Sequence, residues 1–392
     1  MDKMINKKIA VLGSTGSVGT QVLDVCEKLG ARVTLIAAKS NISLLEKQIR
    51  RFKPGICAVE DEAAASLLSV AVADTDTKVV PGYGRMCEEA AGCDADLVYN
   101  AVSGKNGLMP TLAVLGAGKT LALANKESMV LAGKIVNRTA KENSAMILPV
   151  DSEHCAIFQC LKNGRKSEVK RIILTCSGGP FFGRSFEELE GVTVAATLDH
   201  PTWSMGRKIT VDSATLANKG LEIIEAMHLF GVGYDMIKVL IHRQSVVHSM
   251  VEYIDNSVIA QLSVPDMRLP GQYALTYPER YDAVIPELDL TAAPLTFSEP
   301  DCRAFPMLSL ARHCAKEGGL LPCAYNAANE AAVDMYLRGQ IGFNDIYRIT
   351  ESTVQKTENK ADPDIGEILE CDKLARRAAY SYKETSISDG NT

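Results

Sequence analysis

The sequence predicts an α/β chain in three parts: a parallel sheet wrapped by helices over residues 1–150, a central α+β domain over 151–290, and a helical domain over 291–392. Three observations carry that division. Short apolar runs alternate with helical patterns up to Val150, period-two strands flank a long helix in the middle, and a 3.6-residue period takes over after Leu290. In the first part KIAVLG (Lys8 to Gly13), VTLIAA (Val33 to Ala38), GICAVE (Gly55 to Glu60), DLVYNAV (Asp96 to Val102), KTLALAN (Lys119 to Asn125) and AMILPV (Ala145 to Val150) are apolar without alternation. That is the mark of strands covered on both faces, hence of a parallel sheet. In the second part ATLANKGLEIIEAMHLF reads as one helix, and KVLIHRQSVVHSMVEYI and SVIAQLSV as strands of a mostly antiparallel sheet. The third part is helical through PMLSLARHCAKEGG, AYNAANEAAVDMYLRG and DIYRITESTVQKT, and its last stretch, YKETSISDGNT, has too little apolar content to pack and is expected to fray.

Composition excludes several functions. A formal charge of -6 argues against general binding to nucleic acid or to an anionic membrane, so any anion site must be built locally. No apolar run is long enough to span a bilayer. Eleven cysteines without a Cys-x-x-Cys pair, and a start with no secretory or transit pattern, read as reduced thiols in a cytoplasmic protein.

Between the first strand and its helix lies GSTGSVG, with glycines at 13, 16 and 19. This Gly-x-x-Gly-x-x-Gly spacing is a variant of the dinucleotide fingerprint, which makes the N-terminal part Rossmann-like; a ligand-free Gly/Ser turn is the alternative. At the end of the second strand stands AAKSN, where an enzyme preferring the non-phosphorylated dinucleotide would carry an acid. Lys39, Ser40 and Asn41 offer a cation and donors suited to a 2′-phosphate, so NADPH is favoured over NADH, with Lys39 as a plain solvated lysine the alternative. LANKES puts Asn125, Lys126 and Glu127 at the carboxyl end of the fifth apolar run, the edge where ligands of open α/β sheets sit.

PVDSEH follows the last apolar run of the sheet. Read as extended chain, Asp151 and Glu153 point to one side, a geometry that suits a hard cation such as Mg²⁺ or Mn²⁺; a helix N-cap by Asp151 is the competing reading. Within DSATLANKGLE, residues Asn218, Lys219 and Glu222 share a helical face, which fits either a polar substrate beside a metal or an ordinary solvated face. The histidines and cysteines show no zinc spacing. LDHPTWSMGRKITVDS (Leu198 to Ser213) holds the chain's single tryptophan, Trp203, in a Pro- and Gly-punctuated loop that reads as a lid or as a fixed anchored loop. TCSGGPF offers a second Gly-rich turn at Ser177 that could cradle an anion or simply close a hairpin.

GSTGSVG, LANKES, PVDSEH, SGGPF, HPTWSMGRKITVDSATLANKGLE, HSMVEY and PDMR, in that order over about the first 270 residues, together resemble the 1-deoxy-D-xylulose 5-phosphate reductoisomerase family of the non-mevalonate isoprenoid route. The resemblance implies an NADPH- and metal-dependent enzyme that rearranges a sugar phosphate and then reduces it. It implies Asp151, Glu153 and Glu222 as ligands of Mg²⁺ or Mn²⁺ and, with Lys126, as the catalytic set. Ser177, Ser213, Asn218, Lys219 and His200 become the phosphate grip, Ser152 a contact to substrate hydroxyls, and Trp203 and Met205 the cover over substrate and nicotinamide. Thr15, Gly16, Ser17 and Val18 match the pyrophosphate loop, Lys39, Ser40 and Asn41 the 2′-phosphate region, and Asn125, Lys126, Glu127, Gly206 and Met267 further cofactor positions. A homodimer is implied as well. Cys176 departs from the Gly or Ala that many family members carry before the Ser-Gly-Gly turn, and no residue stands out as the general acid or base, Lys126 and Glu153 being the candidates.

Overall fold

The computed structural model describes residues 5–203 and 205–388, the last six by backbone alone. The chain runs β1 (Lys8–Leu12), α1 (Ser17–Lys28), β2 (Arg32–Ala38), α2 (Ile42–Phe52), β3 (Ile56–Val59), α3 (Glu62–Ala71), β4 (Lys78–Pro81), α4 (Tyr83–Gly92) and β5 (Leu97–Asn100). It continues α5 (Leu108–Gly116), β6 (Thr120–Leu123), α6 (Lys126–Glu142), β7 (Ile147–Pro149), α7 (Ser152–Cys160), β8 (Val169–Cys176), α8 (Val194–Leu198), α9 (Arg207–Thr215) and α10 (Ala217–Phe230). The remainder is β9 (Ile237–Ile241), β10 (Val247–Tyr253), β11 (Val258–Leu262), α11 (Arg268–Thr276), α12 (Met307–Glu317), α13 (Leu321–Leu337), α14 (Asp345–Lys356) and α15 (Ile365–Ser388).

Where the sequence reading has three consecutive domains, the structure groups the chain into two compact units. Among the described residues, the first comprises 5–128, 134–158 and 266–288. Its seven strands are all parallel, in the order β4-β3-β2-β1-β5-β6-β7. Ile9, Val11, Ile36, Cys57 and Tyr99 are buried within it, as covered strands require. The strand order reverses at β1, so the loop after β1 opens at the switch point where ligands of such sheets sit. α11 joins this unit because it packs on α1 and accepts, through the carbonyl of Gly271, a 2.8 Å hydrogen bond from Tyr99. The expected boundaries at 150 and 290 are therefore not where contacts divide: a late helix returns to the first sheet. β4 is absent from the sequence reading, being a four-residue edge strand with only Val80 buried and a proline at its end.

Among the described residues, the second unit comprises 129–133, 159–265 and 289–388. Its sheet has the order β11-β10-β8-β9, with two antiparallel pairings and one parallel, β8 with β9. Helix α13 is buried almost throughout and packs on α12, α14 and α15. The single helix expected over residues 214–230 is in fact two, because Leu216 takes a left-handed φ of 62° and separates α9 from α10. The tail expected to fray continues α15 as helix to Ser388; residues 389–392 lie outside the described residues.

Candidate functional site

In the first unit the glycine loop is built by close approach. A Cβ on Gly13, whose φ is +79°, would stand 2.4 Å from the carbonyl oxygen of Ala101, and one on Gly19 would stand 2.2 Å from that of Gly13. Side chains are excluded there, so β1 turns directly into α1. The buried Gln48 ties the loop down, accepting from the Ser14 hydroxyl and donating to the Ser14 carbonyl, both at 2.8 Å. Gly16 is the N-cap and has no side chain to satisfy the first turn, where Ser17 and Val18 begin the helix. A helix N-terminus left open at a switch point is an anion site. Thr15 beside it is half-buried, while Gly16 and Ser17 are exposed.

Lys39, Ser40 and Asn41 follow β2, the parallel neighbour of β1, and all three are exposed. Asn41 also caps α2, its Oδ1 accepting from the Leu44 amide at 3.2 Å. Asn125 caps α6 and is buried; its Nδ2 lies 2.7, 2.8 and 2.9 Å from the oxygens of Val102, Gly104 and the Glu127 carboxylate. That side chain braces the β5–α5 loop, so its role at the ligand edge is to shape the wall. Met267 is half-buried just ahead of α11.

The carboxylates sit at the ends of neighbouring strands. β6 pairs with β7, Leu123 opposite Pro149, so Lys126 and Asp151 emerge side by side. Lys126 Nζ is 2.9 Å from Asp151 Oδ2, the two side chains 9% and 11% exposed. The extended geometry expected for Asp151 and Glu153 is corrected: the strand ends at Pro149 and Glu153 lies in the first turn of α7. Asp151 Oδ1 caps that turn, 3.0 Å from the Glu153 amide and 3.3 Å from that of His154. Capping brings the Glu153 carboxylate round beside Ser152, whose hydroxyl is 2.5 Å from Glu153 Oε2. Two carboxylates and a lysine are thus gathered at one sheet edge, with one Asp151 oxygen turned to the helix and the other to the cation.

In the second unit the SGGPF turn closes on α9. Gly178 and Gly179 have φ of +77° and +66°, and a Cβ on Gly179 would meet the Ser213 carbonyl oxygen at 2.9 Å. That approach sets Ser177 and Ser213 on either side of His200, whose Nε2 is 3.0 Å from one hydroxyl and 3.1 Å from the other. His200 Nδ1 accepts from the amides of Thr202 and Trp203, at 3.3 and 3.0 Å, so the ring proton resides on Nε2. Burial, and secondarily the charge of Arg243, push the His200 pKa down to about 4. The imidazole is therefore neutral at pH 7 and donates between two serines. Cys176 is half-buried, its Sγ 3.7 Å from the Leu240 carbonyl of β9. On α10, Glu222 is fully buried and takes Asn218 Nδ2 at 2.6 Å on one oxygen and the buried Lys219 ammonium on the other. The shared helical face is real, and it is a core face rather than a solvated one.

The loop expected as a lid over 198–213 is shorter: residues 207–213 are already α9, with the exposed Gly206 as its N-cap and the half-buried Met205 before it. Trp203 packs 6.1 Å from the ring of His248, and Thr202 Oγ1 is 3.2 Å from Ser245 Oγ. The tryptophan anchors the loop in the conformation seen.

Three family models cover most of the chain: 1-deoxy-D-xylulose 5-phosphate reductoisomerase over residues 9–133, the C-terminal domain of that enzyme over 147–230, and the DXP reductoisomerase C-terminal domain over 262–378. The 1-deoxy-D-xylulose 5-phosphate reductoisomerase of Acetivibrio thermocellus is 50% identical over 95% of this chain and 98% of its own. The chain belongs to the 1-deoxy-D-xylulose 5-phosphate reductoisomerase family. The same-named protein of Agathobacter rectalis is 48% identical over 96% and 98%. Among solved structures, the Zymomonas mobilis reductoisomerase in complex with NADPH superposes with a TM-score of 0.91 at 39% identity, over 97% of this chain and 100% of that one. A DOX-P reductoisomerase in complex with NADPH, fosmidomycin and magnesium gives 0.92 at 38%, over 96% and 98%. Two residues next to the site were missed in the sequence: Arg243, which bonds the carbonyls of the Ser177 turn, and His248, which packs against Trp203. Both lie in KVLIHRQSVVHSM, where strand alternation was the visible signal and reach across the sheet was not.

Proposed function

We propose that this protein is an NADPH- and divalent-metal-dependent enzyme converting 1-deoxy-D-xylulose 5-phosphate to 2-C-methyl-D-erythritol 4-phosphate. The observation that carries the reading is the pairing of Lys126 with Asp151, with Glu153 two residues on, at the edge of a sheet whose switch-point loop is shaped for a dinucleotide, in a chain half identical to a named reductoisomerase along nearly its full length. Asp151, Glu153 and Glu222 are proposed as the metal ligands; an all-oxygen set fits Mg²⁺ or Mn²⁺. When bound, the metal supplies Lewis-acid polarisation of the substrate carbonyl during the retro-aldol/aldol rearrangement, and NADPH supplies hydride for the reduction.

The protein's own groups bind, orient and move protons. Ser177, Ser213, Asn218 and Lys219 are proposed to hold the phosphate, with His200 donating from Nε2 as a neutral imidazole. Ser152 orients the substrate hydroxyls. Lys126 places an ammonium at the reacting oxygens, where it donates a proton or hydrogen bond, and Glu153 is the carboxylate able to accept one. Thr15, Gly16, Ser17 and Val18 receive the pyrophosphate, and Lys39, Ser40 and Asn41 the 2′-phosphate. Asn125, Glu127, Gly206 and Met267 complete the cofactor wall, and Trp203 and Met205 exclude water from it.

A cytoplasmic homodimer is part of the same proposal. Exposed Leu290, Leu295 and Phe297, and the open edge of β11, are the apolar and hydrogen-bonding surface a second copy would cover. No helix among the described residues is long and apolar enough to cross a membrane. The test is NADPH oxidation with 1-deoxy-D-xylulose 5-phosphate, with Mg²⁺ and then with excess chelator. Turnover that stops on chelation and returns with metal supports the reading; turnover indifferent to chelator points to a metal-independent dehydrogenase and overturns it.

A further inference from the structure

We propose that Arg243 is a positioning residue of the phosphate pocket, bracing the Ser177 to Gly179 turn through two of its carbonyls and adding a positive charge that no carboxylate among the described residues neutralises. Arg243 lies in the loop between β9 and β10, 66 residues from Ser177. Its Nη1 is 2.6 Å from the carbonyl oxygen of Ser177 and 2.6 Å from that of Gly179. Its Cζ stands 5.2 Å from the centroid of the Phe182 ring, a cation–π contact.

The turn needs such a brace. Glycine tolerates a left-handed φ without preferring it, so Gly178 and Gly179 would sample other conformations if nothing held them. One nitrogen holding both flanking carbonyls leaves the turn a single arrangement, the one in which the Gly179 amide donates to Ser177 Oγ at 3.1 Å and Ser177 faces His200. The brace uses one nitrogen, so lysine can supply both the charge and a donor to the two carbonyls, losing only the contact of the planar guanidinium with Phe182.

The charge is the second part. Among the described residues no carboxylate pairs with Arg243; burial holds its pKa below the usual arginine value, and the only opposing influence is the Cys176 thiol. The guanidinium remains charged, and its field reaches His200, where it adds to burial in disfavouring the imidazolium. Around Ser177 the structure thus gathers a half-buried cation, a neutral imidazole donor and two serine hydroxyls, and among the described residues no carboxylate pairs with that cation. A phosphate dianion supplies the missing charge. The guanidinium acts through the turn and through its field, since its near nitrogen is already committed to the two carbonyls.

This inference rests on the reductoisomerase reading for the identity of the substrate, and the test separates the two. In the full-length protein, Arg243→Gln and Arg243→Lys are compared with wild type by steady-state kinetics, by NMR titration of the His200 Cε1 proton with pH, and by titration of that resonance with inorganic phosphate. Arg243→Gln is expected to raise the substrate KM and the phosphate Kd about tenfold, the size of a lost charged hydrogen bond, with kcat within about threefold of wild type. The His200 pKa should rise. Arg243→Lys should leave the His200 pKa at the wild-type value and recover most of the phosphate affinity. Unchanged phosphate Kd and His200 pKa in Arg243→Gln overturn the inference. So does an Arg243→Lys protein that folds yet shows the full Gln defect, which is the deciding comparison if Arg243→Gln does not fold. Absence of turnover in the wild type would overturn the substrate assignment alone, because the two NMR readouts do not depend on catalysis.

Discussion

Lys126 Nζ and Asp151 Oδ2 meet at 2.9 Å from the ends of two adjacent parallel strands, while the other oxygen of Asp151 caps α7. One carboxylate therefore serves the fold with Oδ1 and faces a lysine with Oδ2, and the two duties can be separated. Asparagine caps helices as well as aspartate, so Asp151→Asn should keep the cap, and its stability loss, about 3 kcal/mol, should come from removing the negative charge beside the nearly buried Lys126 ammonium. It removes the negative charge, and kcat is expected to fall at least about a hundredfold, the usual scale for losing one electrostatic group from a reacting centre. Asp151→Ala should lose the cap too, about 1 kcal/mol more. Urea unfolding alongside turnover checks both; an Asn variant that keeps its rate would remove Asp151 from the proposed ligand set.

His200 makes a pH prediction whose sign is fixed by its environment. Its ordinary pKa is 6.5 and its folded value about 4, lowered by burial first and by Arg243 second. Between those values the unfolded chain binds a proton that the folded chain does not, so the His200 contribution to stability falls as pH drops from 6.5 to 4 and is constant above 6.5. His200→Gln, which keeps a donor and cannot titrate, should flatten that part of the profile. Urea midpoints at pH 4.5 and pH 7 for both proteins provide the measurement; equal pH dependence would mean that His200 is not held neutral.

The parallel sheet was legible because strands covered on both faces are written as unbroken apolar runs, and only β4, short and half-exposed with Pro81 at its end, escaped that signal. The carboxylate motif allowed two geometries in the sequence, Asp151 and Glu153 on one side of an extended chain or Asp151 as a helix cap, and the structure has the cap. The break at Leu216 could not be read, since a left-handed leucine has no local sequence signature and is imposed by packing. Arg243 was invisible for a different reason. Its partners are carbonyls 64 and 66 residues away, and backbone acceptors leave no trace in composition or spacing.

The glycines of the first loop are not equivalent. A Cβ on Gly19 would overlap the Gly13 carbonyl oxygen at 2.2 Å and Ser14 Cα at 2.7 Å, both backbone atoms that cannot step aside, whereas a Cβ on Gly16 meets a single atom at 3.3 Å. Gly19→Ala is therefore expected to destabilise by about 1–3 kcal/mol or more and to abolish NADPH binding, and Gly16→Ala to change stability by less than about 1 kcal/mol. Thermal unfolding and the quenching or enhancement of NADPH fluorescence on binding distinguish the two variants. Equal effects at both positions would show that the loop does not depend on close approach of α1 to β1.

Lys39 and Asn41 allow cofactor preference to be separated from fold. Asn41 Oδ1 caps α2, so Asn41→Ala should lower stability by about 1 kcal/mol whatever it does to the cofactor. Lys39 is exposed, and Lys39→Ala should leave stability unchanged. If the lysine meets a 2′-phosphate, its loss should raise the KM for NADPH about tenfold and leave that for NADH, which lacks the phosphate, where it was. The effect should shrink as ionic strength rises, because an exposed charge pair is screened within about 10 Å at 0.1 M salt. Kinetics with both dinucleotides at two salt concentrations test the assignment. A variant whose two KM values rise together would place Lys39 near the cofactor without a part in recognising its phosphate, and one with neither changed would make it the solvated lysine that its exposure alone describes.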